Sequence, residues 1–167
     1  MFKTKLLIAN LAALLFLVID RLFKNFFLNN PETIWDFILF KLQFWQNPGL
    51  AFGLDIAPMV MSIFLLPLTF LIVALLTWEM FKQYKYKDTN AIFFFAITIL
   101  GAISNLIDRI LYQKVVDYIN FNFWPIFNLA DTMIVIGIIG LMFNTLRISQ
   151  KIKEKAEEEE EEEEISS

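Results

Sequence analysis

Asp117 and Asp131 stand 14 residues apart in a chain with no histidine and no cysteine. Those absences exclude disulfides, thiolate metal sites, cysteine nucleophiles, the Ser-His-Asp triad and His-ligated zinc. Acid–base chemistry must then come from carboxylates, lysine or tyrosine. Two carboxylates held together in a low dielectric cannot easily both ionise, so one pKa rises and the pair can share a proton. Such a pair offers a base to activate water and an acid to protonate a carbonyl oxygen. That is aspartic-peptidase chemistry, and it requires no cofactor and no metal.

Other polar residues fall at helical spacings. Asn105, Asp108 and Arg109 are i, i+3, i+4 and share one helix face, with Gly101 one turn earlier leaving room for close helix approach. Asn128 and Asp131 are i, i+3. Each has a plainer reading. Asp117 could cap a structure or pair with Arg109 or Lys114. Asp131 could be a favourable charge at a helix N-terminus, worth ~0.3–1 kcal/mol. Asp108 with Arg109 reads as a structural lock, and Asp20 with Lys24 as an i, i+4 surface pair. The Phe and Trp richness reads as lipid-facing packing and interface belt.

The elements that must position these residues are membrane helices. The chain is 57% hydrophobic and only 19% charged over 167 residues, too apolar for a soluble domain of that size. Residues 56–78 carry no charge for 23 positions, ~34 Å of helix against a hydrocarbon core of about 30 Å. Residues 89–107 form a second charge-free run, and 118–146 are interrupted only by Asp131. Lys3 and Lys5 precede a 14-residue apolar run, 6–19, which also describes a secretory signal peptide. No small-x-small cleavage site follows, so an uncleaved first span is expected. The four expected spans are about 4–28, 56–80, 89–111 and 126–147, in one domain over 1–150.

Nine of the 14 basic residues flank these spans on one side, which predicts cytoplasmic termini and places Asp117 and Asp131 together near the outer interface. Residues 33–39 suit a short interfacial helix, while 40–44 alternate as a strand and Asn47-Pro48-Gly49 signals a turn. Eight of the 18 acidic residues form one block, 157–164, leaving a body with 14 basic and 10 acidic residues. The tail, 151–167, is expected to be disordered and cytoplasmic, because like charges repel. The fold expected is an all-α membrane protein of four transmembrane helices, with a small extracytoplasmic β-sheet and an interfacial helix.

Read as linear motifs, the residues resemble lipoprotein signal peptidase (signal peptidase II), a bacterial membrane aspartyl peptidase family. Asn47-Pro48-Gly49-Leu50-Ala51-Phe52-Gly53 is similar to the family's Asn-x-Gly-Ala-Ala-Phe loop. Gly101-Ala102-Ile103-Ser104-Asn105-Leu106-Ile107-Asp108-Arg109 resembles Gly-Ala-x-x-Asn-x-x-Asp-Arg. Val115-Val116-Asp117-Tyr118 resembles Val-x-Asp-Phe, and Phe127-Asn128-Leu129-Ala130-Asp131 resembles Phe-Asn-x-Ala-Asp. Asp20 and Lys24 echo an Asp-x-x-x-Lys near the end of the first span. The likeness covers residues 1 to about 147. Departures are Pro48, Leu50, Ser104, and Arg21 and Phe23 between Asp20 and Lys24, none at an expected catalytic position.

The resemblance implies a catalytic dyad at Asp117 and Asp131, with polar or substrate-binding support from Asn47, Gly49, Asn105, Asp108, Arg109 and Asn128. Asp20 and Lys24 would be structural. The implied reaction removes the signal peptide from prolipoproteins on the N-terminal side of a diacylglyceryl-modified cysteine. The partners implied are those precursors and membrane lipids, with no nucleic acid, no cofactor and a monomeric enzyme in the bacterial inner membrane. Two other classes compete on the residues alone. One is a four-span transporter, channel or scaffold, disfavoured because the second and third spans are apolar until their outer ends. The other is a metal-dependent hydrolase, for which no ligand motif exists.

Overall fold

The computed structural model describes residues 2–48 and 64–166, so Gly49, the rest of the 47–53 motif and the first part of the second expected span lie outside the described residues. In chain order the elements are α1 (Phe2–Asn29), β1 (Ile34–Asp36), β2 (Lys41–Asn47), α2 (Leu66–Tyr86), α3 (Thr89–Tyr112), β3 (Val115–Asn120) and α4 (Leu129–Ser166). Four helices are long and apolar enough to cross a membrane: Phe2–Asn29, Leu66–Tyr86, Thr89–Tyr112 and Leu129–Glu159.

α3 is the central helix. Twelve of its residues are buried, Ala91 through Asp108, while α2 has none. Apolar side chains that elsewhere would be a liability are here lipid-facing: Leu68, Phe70, Leu75 and Trp78 of α2 and Ile136, Ile139 and Phe143 of α4 are exposed. α2 meets α3 through Val73, Leu76 and Met80 against Ala91, Phe95 and Ile99. α3 and α4 approach more closely than two ordinary helices. A Cβ on Gly101 would come within 2.6 Å of the Ala130 carbonyl oxygen, and one on Gly137 would collide with Thr98. Without hydrophobic attraction between helices in lipid, such small-residue contacts supply the packing. Gly101 brings α3 against the first turn of α4, which carries Asp131.

The helix ends are closed by side chains. Asp88 caps α3, its Oδ1 accepting from the Asn90 and Ala91 amides. Its Oδ2 accepts from Asn144 of α4 at 2.7 Å. Lys87 and Gln113 take left-handed conformations at the C-caps of α2 and α3.

At the other end from the Asp88 cap, three antiparallel strands form a sheet in the order β1-β2-β3. β2 pairs with β3 so that Trp45 opposes Asp117 and Asn47 opposes Val115, with an irregularity between Leu42 and Trp45. Residues 34–36 are strand, not the interfacial helix expected for 33–39. Ile34, Trp35 and Asp36 pair with Gln43, Leu42 and Lys41. The aromatic and β-branched residues there gain a partner strand and a packing surface: Trp35 lies against Phe23, Phe26 and Phe27 of α1. α4 extends to Ser166, through the acidic block. Glu and Lys are good helix formers, and Lys153 pairs with Glu157 at i, i+4.

Candidate active site

β3 and the start of α4 carry the two carboxylates. Strand alternation sends Val115 and Asp117 toward a cavity, while Val116 and Tyr118 face the bundle; Tyr118 stacks on Phe23 and Phe27 of α1. Asp117 is 1% exposed. Its Oδ2 accepts from Asn47 Nδ2 at 3.0 Å and its Oδ1 from Asn128 Nδ2 at 2.7 Å. Asn47 reaches it diagonally across the β2–β3 ladder, since Asn47 itself opposes Val115.

Asp131 is held by a reciprocal capping box. Asn128 Oδ1 accepts from the Asp131 amide at 2.9 Å, and Asp131 Oδ2 accepts from the Asn128 amide at 3.1 Å. The other two leading amides of α4 are also satisfied by side chains. Leu129 N–H donates to the Tyr118 hydroxyl at 3.2 Å and Ala130 N–H to Asp20 Oδ1 at 3.2 Å. The first turn that carries Asp131 is therefore fixed on three sides. Asp131 Oδ1 further accepts from Asn105 Nδ2 of α3 at 2.7 Å.

Asn128 touches both carboxylates and so sets their spacing. The negative charge of Asp131 bears directly on Asp117. Burial first, and then that charge, push the Asp117 carboxyl up to about 7, against the pull of its donors Asn47 and Asn128. Both acids line one cavity of about 680 Å³, together with Asn47, Asn105 and Arg109. Apolar residues, among them Ile126, Ile134 and Val135, form the rest of its wall. Arg109 is half-buried, and its Nε is a buried nitrogen with no hydrogen-bond partner among the described residues. Its electrostatic neighbours are Asp131, Asp117 and Asp108.

Arg109 does not lock Asp108 as its sequence neighbour suggested. Asp108 is fully buried and takes Arg21 and Lys24 as its cations, Lys24 at 2.9 Å, while its Oδ2 also accepts from the Val116 amide. Lys114 does not pair with Asp117 either; its ammonium donates to Gln46. Asp20 and Lys24 are no surface pair. Both are fully buried, 3.2 Å apart, and Asp20 accepts from Ser104 Oγ at 2.6 Å and the Tyr118 hydroxyl at 2.9 Å. Burial and the negative charge of Asp20 raise the Tyr118 pKa, so the hydroxyl stays a donor.

The structure thus gathers Asn47, Asn105, Arg109, Asp117 and Asp131 at one cavity, with Asn128 buried against both carboxylates, and places Asp20, Lys24 and Asp108 in a buried cluster behind it. Gly49 lies outside the described residues. Sequence reasoning did not assign Arg21, Ser104 or Tyr118. A signal for Arg21 existed: three charges, Asp20, Arg21 and Lys24, within one otherwise apolar span require partners inside the bundle.

A bundle of membrane-spanning helices that ends in two electrostatically coupled aspartates lining one cavity is a frame that suits a membrane-embedded hydrolase. Comparison with known proteins narrows the class. The family model for signal peptidase (SPase) II matches residues 12–147, and the chain belongs to that family of peptidases. A lipoprotein signal peptidase from Thermodesulfovibrio yellowstonii is 33% identical over 86% of this chain and 97% of its own length. One from Syntrophus aciditrophicus is 32% identical over 92% and 99%. A solved bacterial membrane enzyme shares the fold, with a TM-score of 0.70 at 21% identity over 86% of this chain and 90% of that one. Membership in a peptidase family sets aside the transporter, channel and scaffold alternatives.

Proposed function

We propose that this peptidase removes signal peptides from prolipoproteins, cutting on the N-terminal side of a diacylglyceryl-modified cysteine, with Asp117 and Asp131 as its catalytic pair. The observation that carries the reading is the shared cavity: a buried carboxylate, Asp117, and a half-buried one, Asp131, bridged by Asn128 beside an apolar-walled space at the end of the bundle. In this mechanism the pair holds one proton. The ionised member takes a proton from a water, whose oxygen attacks the scissile carbonyl carbon. The protonated member donates to the carbonyl oxygen. The C–N bond then breaks as the amine of the lipid-bearing cysteine is protonated, and the pair returns to its starting state.

The surroundings support each part. Asp117, with its carboxyl raised to about 7, can keep a proton at neutral pH. Arg109 lines the cavity, its Nε has no hydrogen-bond partner among the described residues, and its guanidinium can hold a peptide carbonyl or offset developing negative charge. Asn47, Asn105 and Asn128 orient the carboxylates. Gly49 follows the Asn47 strand end and belongs to the loop implied to shape substrate. The apolar wall suits a signal peptide and acyl chains arriving within the bilayer.

The distribution of basic residues supports an orientation with both termini in the cytoplasm and the pair at the outer leaflet of a bacterial inner membrane. The protein acts as a monomer without cofactor or nucleic acid, on lipid-modified precursors, with its peptidase domain over 1–150 and a cytoplasmic tail over 151–167.

The test is direct. Purified protein is incubated with a precursor bearing the diacylglyceryl cysteine and with the same precursor unmodified, with and without a chelator. The reading expects signal-peptide release from the lipidated form alone, a product beginning at the modified cysteine, and no effect of the chelator. Cleavage elsewhere, or equal cleavage of both precursors, would overturn it.

A further inference from the structure

Lys24 carries a buried ammonium that the reaction as written does not use. It sits among oxygens only: Asp20 Oδ2 at 3.2 Å, Asp108 Oδ2 at 2.9 Å, Ser104 Oγ at 3.4 Å and Asn105 Oδ1 at 2.7 Å. Charge balance explains the first two. Asp20 and Asp108 face Lys24 and Arg21, so the cluster is neutral. The contact with Asn105 adds nothing to that balance, yet it is the shortest of the four.

Asn105 is an ambidextrous group, with an acceptor on one arm and donors on the other. An ammonium has donors only, so it accepts one orientation of that amide. With Oδ1 turned to Lys24, Nδ2 must face the other way, and it donates to Asp131 Oδ1 at 2.7 Å. Asn128 Nδ2 reinforces the choice by donating to Asn105 Oδ1 at 3.1 Å. Were the amide reversed, its oxygen would meet the Asp131 carboxylate, acceptor against acceptor, and its nitrogen would meet an ammonium. Both contacts would be repulsive in a low dielectric.

We propose that Lys24 is a positioning residue for the peptidase reaction: its buried ammonium fixes the Asn105 amide so that a donor is always presented to Asp131. The inference rests on the dyad reading above. It gives Lys24 a role beyond joining α1 to α3, because it reaches the reacting pair through one intervening side chain as well as through its charge, which acts on Asp117 at longer range. Lys24 touches neither carboxylate of that pair by hydrogen bond and is not itself catalytic.

A double-mutant cycle separates this role from a merely structural one. Lys24→Met, Asn105→Ala and the double variant are assayed on lipidated precursor, with thermal unfolding in detergent as the folding check. Each single variant is expected to lower kcat by about 10–100-fold with KM little changed, the magnitude of one charge-assisted hydrogen bond. The double variant is expected to be no worse than the poorer single one, and the acidic limb of the kcat–pH profile should move in Lys24→Met.

Losses that multiply, or a folded Lys24→Met enzyme with wild-type kcat and pH profile, would overturn the inference. If Lys24→Met alone does not fold, Lys24→Met with Asp108→Asn restores neutrality, and the same cycle is run in the Asp108→Asn background. Wild-type enzyme and Asp117→Asn are run alongside. Should wild type release no signal peptide, the functional reading fails; should it do so and lose activity in Asp117→Asn while the cycle is additive, only this inference fails.

Discussion

Two groups of charged side chains lie side by side at one end of the bundle and are built on opposite plans. Behind the cavity, Asp20, Arg21, Lys24 and Asp108 form a neutral cluster in which each carboxylate meets a cation and several donors. At the cavity, Asp117 and Asp131 face each other with only neutral amide donors on them, and Arg109 stands near without an ion pair among the described residues. Asp117 is as buried as Asp20 and Asp108, while Asp131 is half-buried. The larger difference is whether charge is compensated. A buried carboxylate matched by cations is inert and holds helices together. A buried carboxylate beside another one keeps a proton it would lose in water. The first arrangement is scaffold and the second is chemistry.

The sharpest way to break the contrast is to neutralise one carboxylate on each side of it. Asp117→Asn and Asp131→Asn should each lower kcat by roughly 10³–10⁴-fold, the loss expected when a general acid or base is removed, while apparent Tm changes little. Asp108→Asn should do the reverse in kind. It leaves Arg21 and Lys24 with one carboxylate fewer, and stability should fall by about 3 kcal/mol, read as a drop in thermal midpoint in detergent. Residual activity per folded molecule should fall far less than in the dyad variants. If Asp108→Asn abolished turnover at unchanged stability, the division between the two clusters would be wrong. A smaller effect comes from Arg109→Met. With no ion pair to lose among the described residues, it should leave the thermal midpoint near wild type and lower kcat/KM by about 10–100-fold, as one charge-assisted contact to substrate disappears.

Much of this plan was legible before any coordinates. Charge-free runs long enough to cross a bilayer announced the helices, since lipid demands them and little else can satisfy the backbone. The nearness of Asp117 and Asp131 followed from a short hairpin joining two antiparallel spans. The capping box of Asn128 and Asp131 was visible as an i, i+3 pair at a helix start. What escaped was tertiary. That Asp108 would take Arg21 rather than its own neighbour Arg109 depends on which faces α1 and α3 present to each other, across 87 residues of sequence. Residues 34–36 read as interfacial helix because their apolar content suits a membrane surface. They form a strand because β2 offers them hydrogen bonds and α1 offers Trp35 an aromatic seat. Tyr118, filling a place where the family pattern has Phe, gained a hydroxyl whose partner, Asp20, lies 98 residues away.

The central claim is that Asp117 and Asp131 hold one proton between them at neutral pH. Infrared titration of the carboxyl C=O stretch measures this directly. The account predicts a protonated-carboxyl band at pH 6 that fades as pH rises through about 7, with kcat falling in step, because the Asp117 carboxyl is raised to about 7 and its neutral form is lost above that pH. The band should vanish in Asp117→Asn and persist in Asp108→Asn. A wild-type enzyme with every carboxylate ionised at pH 6, or a band that survives Asp117→Asn and disappears in Asp108→Asn, would contradict it.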